Sequence, residues 1–172
     1  MGVLHTDEGS GNIQLTATNA VVPHRCAVSN LFGVAHIVFV EVQCVDGSGA
    51  PADSEFTLTY HRERSVFGEL APPKRFAYLV TGEPRPDAEV DFNSADAANM
   101  VLPGATQLVF GRVGIGETHV QVAPLNGDGH YCALQDIWRN VGGDGLVPSV
   151  ACFDSKGNPT DTNAFVTFSS RL

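Results

Sequence analysis

The stretch Cys44-Val45-Asp46-Gly47-Ser48-Gly49-Ala50-Pro51-Ala52-Asp53-Ser54 recurs as Cys152-Phe153-Asp154-Ser155-Lys156-Gly157-Asn158-Pro159-Thr160-Asp161-Thr162. Cys, Asp, Gly, Pro and Asp stand in the same order and at the same spacing in both. Each copy reads as a turn. The first Asp bonds its own backbone, Gly takes the positive φ, and Pro follows as strand-edge punctuation. Working outward, Phe56 matches Phe165, and His24-Arg25-Cys26 matches His130-Tyr131-Cys132. Asn12-Ile13-Gln14-Leu15-Thr16-Ala17 matches His119-Val120-Gln121-Val122-Ala123-Pro124. The offset stays between 106 (His24 to His130) and 109 (Phe56 to Phe165). A fixed period of this kind marks a duplicated structural unit. Residues 11–62 and 116–172 therefore read as two copies, and residues 63–113 have no partner copy. With a period of about 107, the chain divides into a first, partial copy over 1–62 and a full unit over 63–172. These pack either as two bodies or as a single compact domain.

The hydrophobic pattern has period 2, the signature of half-buried antiparallel strands. Ile13, Leu15 and Ala17 alternate with Gln14, Thr16 and Thr18. Val38, Val40, Val42 and Cys44 face one way, with Glu41 and Gln43 facing the other. Phe56, Leu58 and Tyr60 alternate with Thr57, Thr59 and His61. Arg75 to Val80 and Gln107 to Val113 read as further strands, with loops near Phe32 to Ala35 and over Thr81 to Asp87. Ser94 to Asn99 is the one helix-permissive run, a single turn long. About ten to eleven strands with short connections predict an all-β chain. The architecture is an antiparallel sandwich of the immunoglobulin-like kind or a closed β-structure. An orphan half-unit would expose strand edges, so edge pairing with a second copy of the chain is an expected mode of association.

Composition narrows the function classes. Apolar residues make up 43% of 172, enough for a real core, and charged residues only 17%. Ten Lys and Arg against nineteen Asp and Glu give a formal charge of −9, which argues against nucleic acid or an anionic membrane as partner. No apolar run approaches the length of a membrane-spanning helix. Met1 to Glu8 has neither a basic nor an apolar region, so it does not read as a signal peptide.

The four cysteines carry the compartment argument. If Cys26 and Cys44 lie on neighbouring strands of one hairpin, they stand nearly opposite each other, and Cys132 and Cys152 do the same around Gly142-Gly143. Four cysteines allow three pairings, and the duplication favours pairing within each copy. Buried free thiols are the plain alternative. A metal reading starts from His24-x-Cys26 and His130-x-Cys132, because His and Cys are zinc ligands and alternate strand residues point the same way. Asp46 with Asp53, and Asp154 with Asp161, supply oxygen ligands of the kind calcium takes in turns. Each turn, however, already explains its own Asp. No cofactor is expected; zinc and calcium are the alternatives.

No catalytic motif stands out. There is no G-x-S-x-G elbow, and Gly114-Ile115-Gly116 lies between strands rather than before a helix, so it is no phosphate loop. Trp138 is the sole tryptophan. It reads as a core or rim residue packing on a disulfide. The alternative is a ligand-facing aromatic, with Asp136 and Arg139 beside it as candidate binding residues. The first copy has Asn30 or Leu31 there, so such a site belongs to the second copy.

Two resemblances rest on these motifs. The run Asp154-Ser155-Lys156-Gly157-Asn158-Pro159, followed by Phe165-Val166-Thr167-Phe168, is similar to the turn and last strands of bacterial immunoglobulin-like domains of the invasin type. Residues 76–172 resemble a family of uncharacterised secreted bacterial β-repeat proteins with a unit of roughly a hundred residues. The resemblance runs through Phe76 to Pro86, Phe92-Asn93-Ser94, Val120-Gln121-Val122, and Cys132, Trp138 and Cys152 to Asp161. The first copy departs from it at the tryptophan and has Val45 where the second has Phe153. The resemblance implies an extracellular or cell-surface β-rich protein and carries no catalytic residues.

The expected function is thus a secreted, disulfide-stabilised binding or surface-structural module, its partner an extracellular protein or glycan. The alternatives are a secreted enzyme with its site near Trp138 and Asp136, and an inhibitor that presents the Thr81–Asp87 loop.

Overall fold

The structure is a computed structural model that describes residues 2–5, 12–18, 21–34, 37–61, 67, 74–81, 91–102, 107–125 and 129–172. Among these residues every regular element is a β-strand, so the chain is all-β. The N-terminal part contributes β1 (Gly2–His5), β2 (Asn12–Ala17), β3 (Arg25–Val34), β4 (Ile37–Val45) and β5 (Phe56–His61). The middle contributes β6 (Lys74–Val80), β7 (Asp91–Asn93), β8 (Asn99–Val101) and β9 (Leu108–Phe110). The last part contributes β10 (Glu117–Leu125), β11 (Tyr131–Leu134), β12 (Arg139–Val141), β13 (Asp144–Val147), β14 (Val150–Phe153) and β15 (Asn163–Arg171).

The described residues hold fifteen strands, more than the ten or eleven expected, because long runs are broken. Pro148, which lacks an N–H, falls between β13 and β14. Gln135 to Trp138 separates β11 from β12. The run expected over Gln107 to Val113 is strand only at Leu108–Phe110, because Arg112 turns at φ 57° and donates its N–H to Asp144 Oδ1 at 2.8 Å. Conversely, Phe32 to Val34 lies inside β3 rather than in a loop. Ser94 and Ala95 form a turn in which Asp96 takes φ 49°.

The strands form four sheets: β1-β4-β3-β10-β15-β6-β7, β12-β13-β9-β8, and the two-stranded β11-β14 and β2-β5. Neighbours are antiparallel except β3 and β10, which run parallel with Leu125 opposite Val28. That joint carries one sheet from the N-terminal strands into later ones.

Each face of this large sheet carries one core. Leu125 shares the face of Val28, whereas Val120 and Val122 alternate to the other side. On the first face, Ile13, Val28, Val38 and Val40 are buried together, with Leu15, Leu58 and Tyr60 of the β2–β5 ribbon packed on them. On the second, Ala77, Leu79, Val120, Ala164, Val166 and Phe168 meet Leu108, Phe110, Val113, Val147 and Val150. β15 is buried from Ala164 to Ser170, which makes it the innermost strand. Full burial of a side chain such as Phe168 contributes about 1.5–3 kcal/mol.

Gly145 shows how tight this second core is. A Cβ added there would lie 2.6 Å from the Phe168 ring. Overpacking of this kind costs about 1–3 kcal/mol. Gly145→Ala is expected to lower stability by that amount in urea unfolding, and Phe168→Leu in the same chain is expected to recover part of it. A Gly145→Ala variant as stable as the parent would contradict this packing.

Candidate functional site

The candidate site is built around the cysteines. Cys26 stands directly opposite Cys44 across β3–β4, and Cys132 opposite Cys152 across β11–β14. Both pairs are disulfide-bonded. In each pair the Cα atoms are 4.0 Å apart, the close spacing of a non-hydrogen-bonded antiparallel pair. The backbone agrees: the Cys44 carbonyl accepts from Ala52 N–H and the Cys152 carbonyl from Thr160 N–H, both at 3.0 Å, instead of from the opposite cysteine. With sequence separations of 18 and 20, each bridge contributes about 3 kcal/mol in the chain-entropy description. His24 and His130 precede β3 and β11, and the sulfurs of the zinc reading, Cys26 and Cys132, are each bonded in a disulfide, to Cys44 and Cys152. His130 Nδ1 lies 2.7 Å from Thr162 Oγ1.

The turns that follow are closed by the same bonds. Asp46 N–H donates to Ala50 O at 2.9 Å and Gly49 N–H to Asp46 O at 3.0 Å. Asp154 N–H donates to Asn158 O at 2.8 Å and Gly157 N–H to Asp154 O at 3.1 Å. Gly49 and Gly157 sit at φ 88° and 87°. Asp46 Oδ1 accepts from Ser48 N–H, Ser48 Oγ and Ala50 N–H. Asp154 Oδ1 accepts from Lys156 and Asn158 N–H, and Oδ2 from Asn158 Nδ2. Two of the four carboxylates of the calcium reading, Asp46 and Asp154, are therefore turn caps. Asp53 and Asp161 lie exposed beyond them. Among the described residues, no three His, Cys, Asp or Glu side chains gather as a metal site.

The two turns meet. Gly49 packs on Ser155, where an added Cβ would sit 2.6 Å from its Oγ. Arg25 Nη2 donates to Ser155 O at 2.6 Å. The Arg25 guanidinium lies 5.0 Å over the Tyr131 ring, and Tyr131 in turn stacks on Phe153 at 5.2 Å.

Beside the second turn lies an open groove of about 310 Å³. It is lined by the apolar Val101, Leu108 and Val150, by the polar Thr81, Gln135, Thr160, Asp161 and Asn163, and by Cys152. Two of the lining residues are braced. Gln135 Oε1 accepts from Ser149 Oγ at 2.7 Å, and Thr81 Oγ1 accepts from Ala164 N–H at 2.8 Å. Asp161 is exposed. Sequence reasoning named Asp161 and Cys152 but not the groove, because Thr81, Val101 and Leu108 lie far from them in the sequence and no local pattern marks them as neighbours.

Trp138 and Asp136 make separate hydrogen bonds, and Arg139 lies on β12. Trp138 is half-buried, packs on the second core alongside Cys132 and Cys152, and donates Nε1–H to Thr118 Oγ1 at 3.1 Å. Its ring is a rim-of-core residue, not a groove wall. Asp136 Oδ1 accepts from the next N–H, that of Ile137. Arg139 is exposed on β12 opposite Leu146. Of the Thr81–Asp87 loop, residues 82–87 lie outside the described residues. Comparison of the chain with protein-family models, with curated proteins and with solved structures finds no match.

The caps carry a pH signature. The Ser48 hydroxyl, then the Ser48 and Ala50 N–H groups, hold the Asp46 carboxyl below its ordinary 3.8. The Asn158 side chain, then its N–H, does the same for Asp154. A depressed folded pKa gives stability that is present above the unfolded pKa and lost as pH falls through the folded one. Asp91 acts with the opposite sign: loss of water pushes its carboxyl up, against a bond from Asn99. The Asp46→Asn, Asp154→Asn double variant is therefore expected to melt lower at neutral pH. Its melting temperature should also fall less than the parent's between about pH 4 and strongly acidic solution. Parallel acid profiles would show that the carboxylates are not caps.

Proposed function

We propose that the chain is an extracellular, disulfide-stabilised β-repeat module that binds a polyhydroxylated ligand such as a glycan end in the groove beside Cys132–Cys152. The observation that carries this is the groove itself: amide, hydroxyl and carboxylate groups line it together with apolar side chains, the composition of a small-ligand site. A disulfide and Ser149 fix its wall, so little ordering entropy opposes binding. Two disulfides are compatible with an extracellular protein. Among the described residues, no helix is long and apolar enough to cross a membrane.

The two-copy reading belongs to the same proposal. It is supported by matched registers. Ala17 faces Phe56 in β2–β5, and Pro124 faces Ala164 in β10–β15, offsets of 107 and 108, so by register Phe56 stands in the place of Ala164, one residue before the Phe165 that the sequence match pairs it with. The cysteine pairs and turn bonds match in the same way. The match extends to β1, whose Gly2 and Leu4 face Val40 and Val38, as Leu108 and Phe110 of β9 face Val147 and Gly145. Each copy then packs a β2–β5 or β10–β15 pair against its own cysteine hairpin in a sandwich-like arrangement.

The test is binding of the disulfide-intact chain to a panel of immobilised glycans, repeated with Asp161→Ala and Gln135→Ala. A charged hydrogen bond is worth about 1.5–3 kcal/mol, so Asp161→Ala should weaken binding about tenfold or more without lowering the melting temperature. Binding that both variants leave unchanged, or no glycan bound by the parent, would overturn the groove as the site.

A further inference from the structure

We infer that the outer edge of β5 is an acceptor for a strand of the β6–β7 type, supplied by another copy of the repeat unit. This rests on the two-copy reading above and goes beyond it. The register of β10–β15 places β15 where β5 stands in the first copy. β15 is paired on both sides, with β10 and with β6, and β7 continues beyond β6. β5 is paired with β2 alone among the described strands.

The backbone geometry of the two edges is the same. Thr18 N–H donates to Glu55 O at 2.9 Å, so the alternate pairs Thr16–Thr57 and Gln14–Thr59 exchange the bonds between β2 and β5. The N–H and C=O of Phe56 and Leu58 then point away from β2. Their counterparts by register are Ala164 and Val166. Ala164 O accepts from Thr81 N–H at 2.9 Å, which shows that this set of groups in β15 points to β6.

The side chains tell the same difference. Ala164 and Val166, in the strand beside β6, are each 0% exposed, whereas Phe56, in a strand with no second neighbour among the described strands, is 44% exposed. Ala77 and Leu79 of β6, opposite Phe168 and Val166, extend the second core sideways past β15. A donor strand with small and aliphatic residues at those two positions, and with Phe76 and Tyr78 on its other face, would complete the first core as β6 completes the second. Strand addition of this kind joins main-chain bonds to side-chain pockets of alternating residues. It also removes an exposed edge. In the intact chain β6 is already held by β15, so the donor comes from a different unit.

The test uses the full oxidised chain and a synthetic peptide of residues 74–93, read by amide hydrogen exchange. In the free chain, Thr57 and Thr59 amides should be protected and those of Phe56 and Leu58 open. Peptide should slow exchange at Phe56 and Leu58 at least tenfold and leave β6 and β15 unchanged. A peptide carrying Leu79→Asp, and a chain carrying Phe56→Pro, whose lost N–H is not used by β2, should each abolish the effect. Open Thr57 and Thr59 amides would break the two-copy register itself. Phe56 and Leu58 already protected without peptide, no change at millimolar peptide, or binding that survives Phe56→Pro would each overturn the acceptor edge while leaving that register intact.

Discussion

Two cysteines directly opposite each other across an antiparallel pair can be bridged only where the strands hold one register. A slip of one residue would send the sulfurs to opposite faces. Cys26–Cys44 and Cys132–Cys152 each impose that constraint on one hairpin, and most of what surrounds them follows from it. In both hairpins the second cysteine turns its carbonyl outward to a returning segment, Ala52 or Thr160. That bond sets the length of the Asp-capped turn and delivers the chain to the next strand, β5 or β15. The strand then pairs with β2 or β10, closing a core against the hairpin it came from. The register fixed at the sulfurs is thereby passed to the cores on both faces of the large sheet.

The two halves differ where the second does something the first does not. β3 and β4 are long and continuous, and β3 lends its edge to β10. The matching run in the second half is broken by Gln135 to Trp138 and by Pro148. The break lets β13 cover Phe168 while β14 turns aside, and the groove opens beside β14. Thr81, Val101 and Leu108 complete it from the middle of the chain. Local irregularity and the middle segment thus coincide at the proposed ligand site.

Much of the fold was legible in the sequence because it is written in period-2 alternation and in matched turns. The faces of β2, β4 and β5 could be read from Ile13, Val38 and Leu58, and the cysteine pairing from the duplication. The breaks were harder to read. Arg112 gives no sign of a positive φ, and Trp138 looks like a strand residue until its indole is seen to reach Thr118. The parallel joint at Leu125 and Val28 is a long-range choice between two equally apolar edges, and no local pattern encodes it. Of the site, Asp161 and Cys152 were visible as repeat positions. Gln135 and Val101 were not, since nothing in their neighbourhoods sets them apart from loop and edge-strand residues. Asp46 and Asp154 read first as caps of their own turns, with calcium as the alternative, and the hydrogen bonds to Ser48 and Asn158 are those of caps.

The most direct measurement is a non-reducing peptide map of the unfolded, alkylated chain together with its intact mass. The expected result is a mass about 4 Da below the reduced formula, no alkylated thiol, and two linked species joining Cys26 to Cys44 and Cys132 to Cys152. Links between the two halves, or four alkylatable thiols, would contradict the in-register hairpins on which both cores depend.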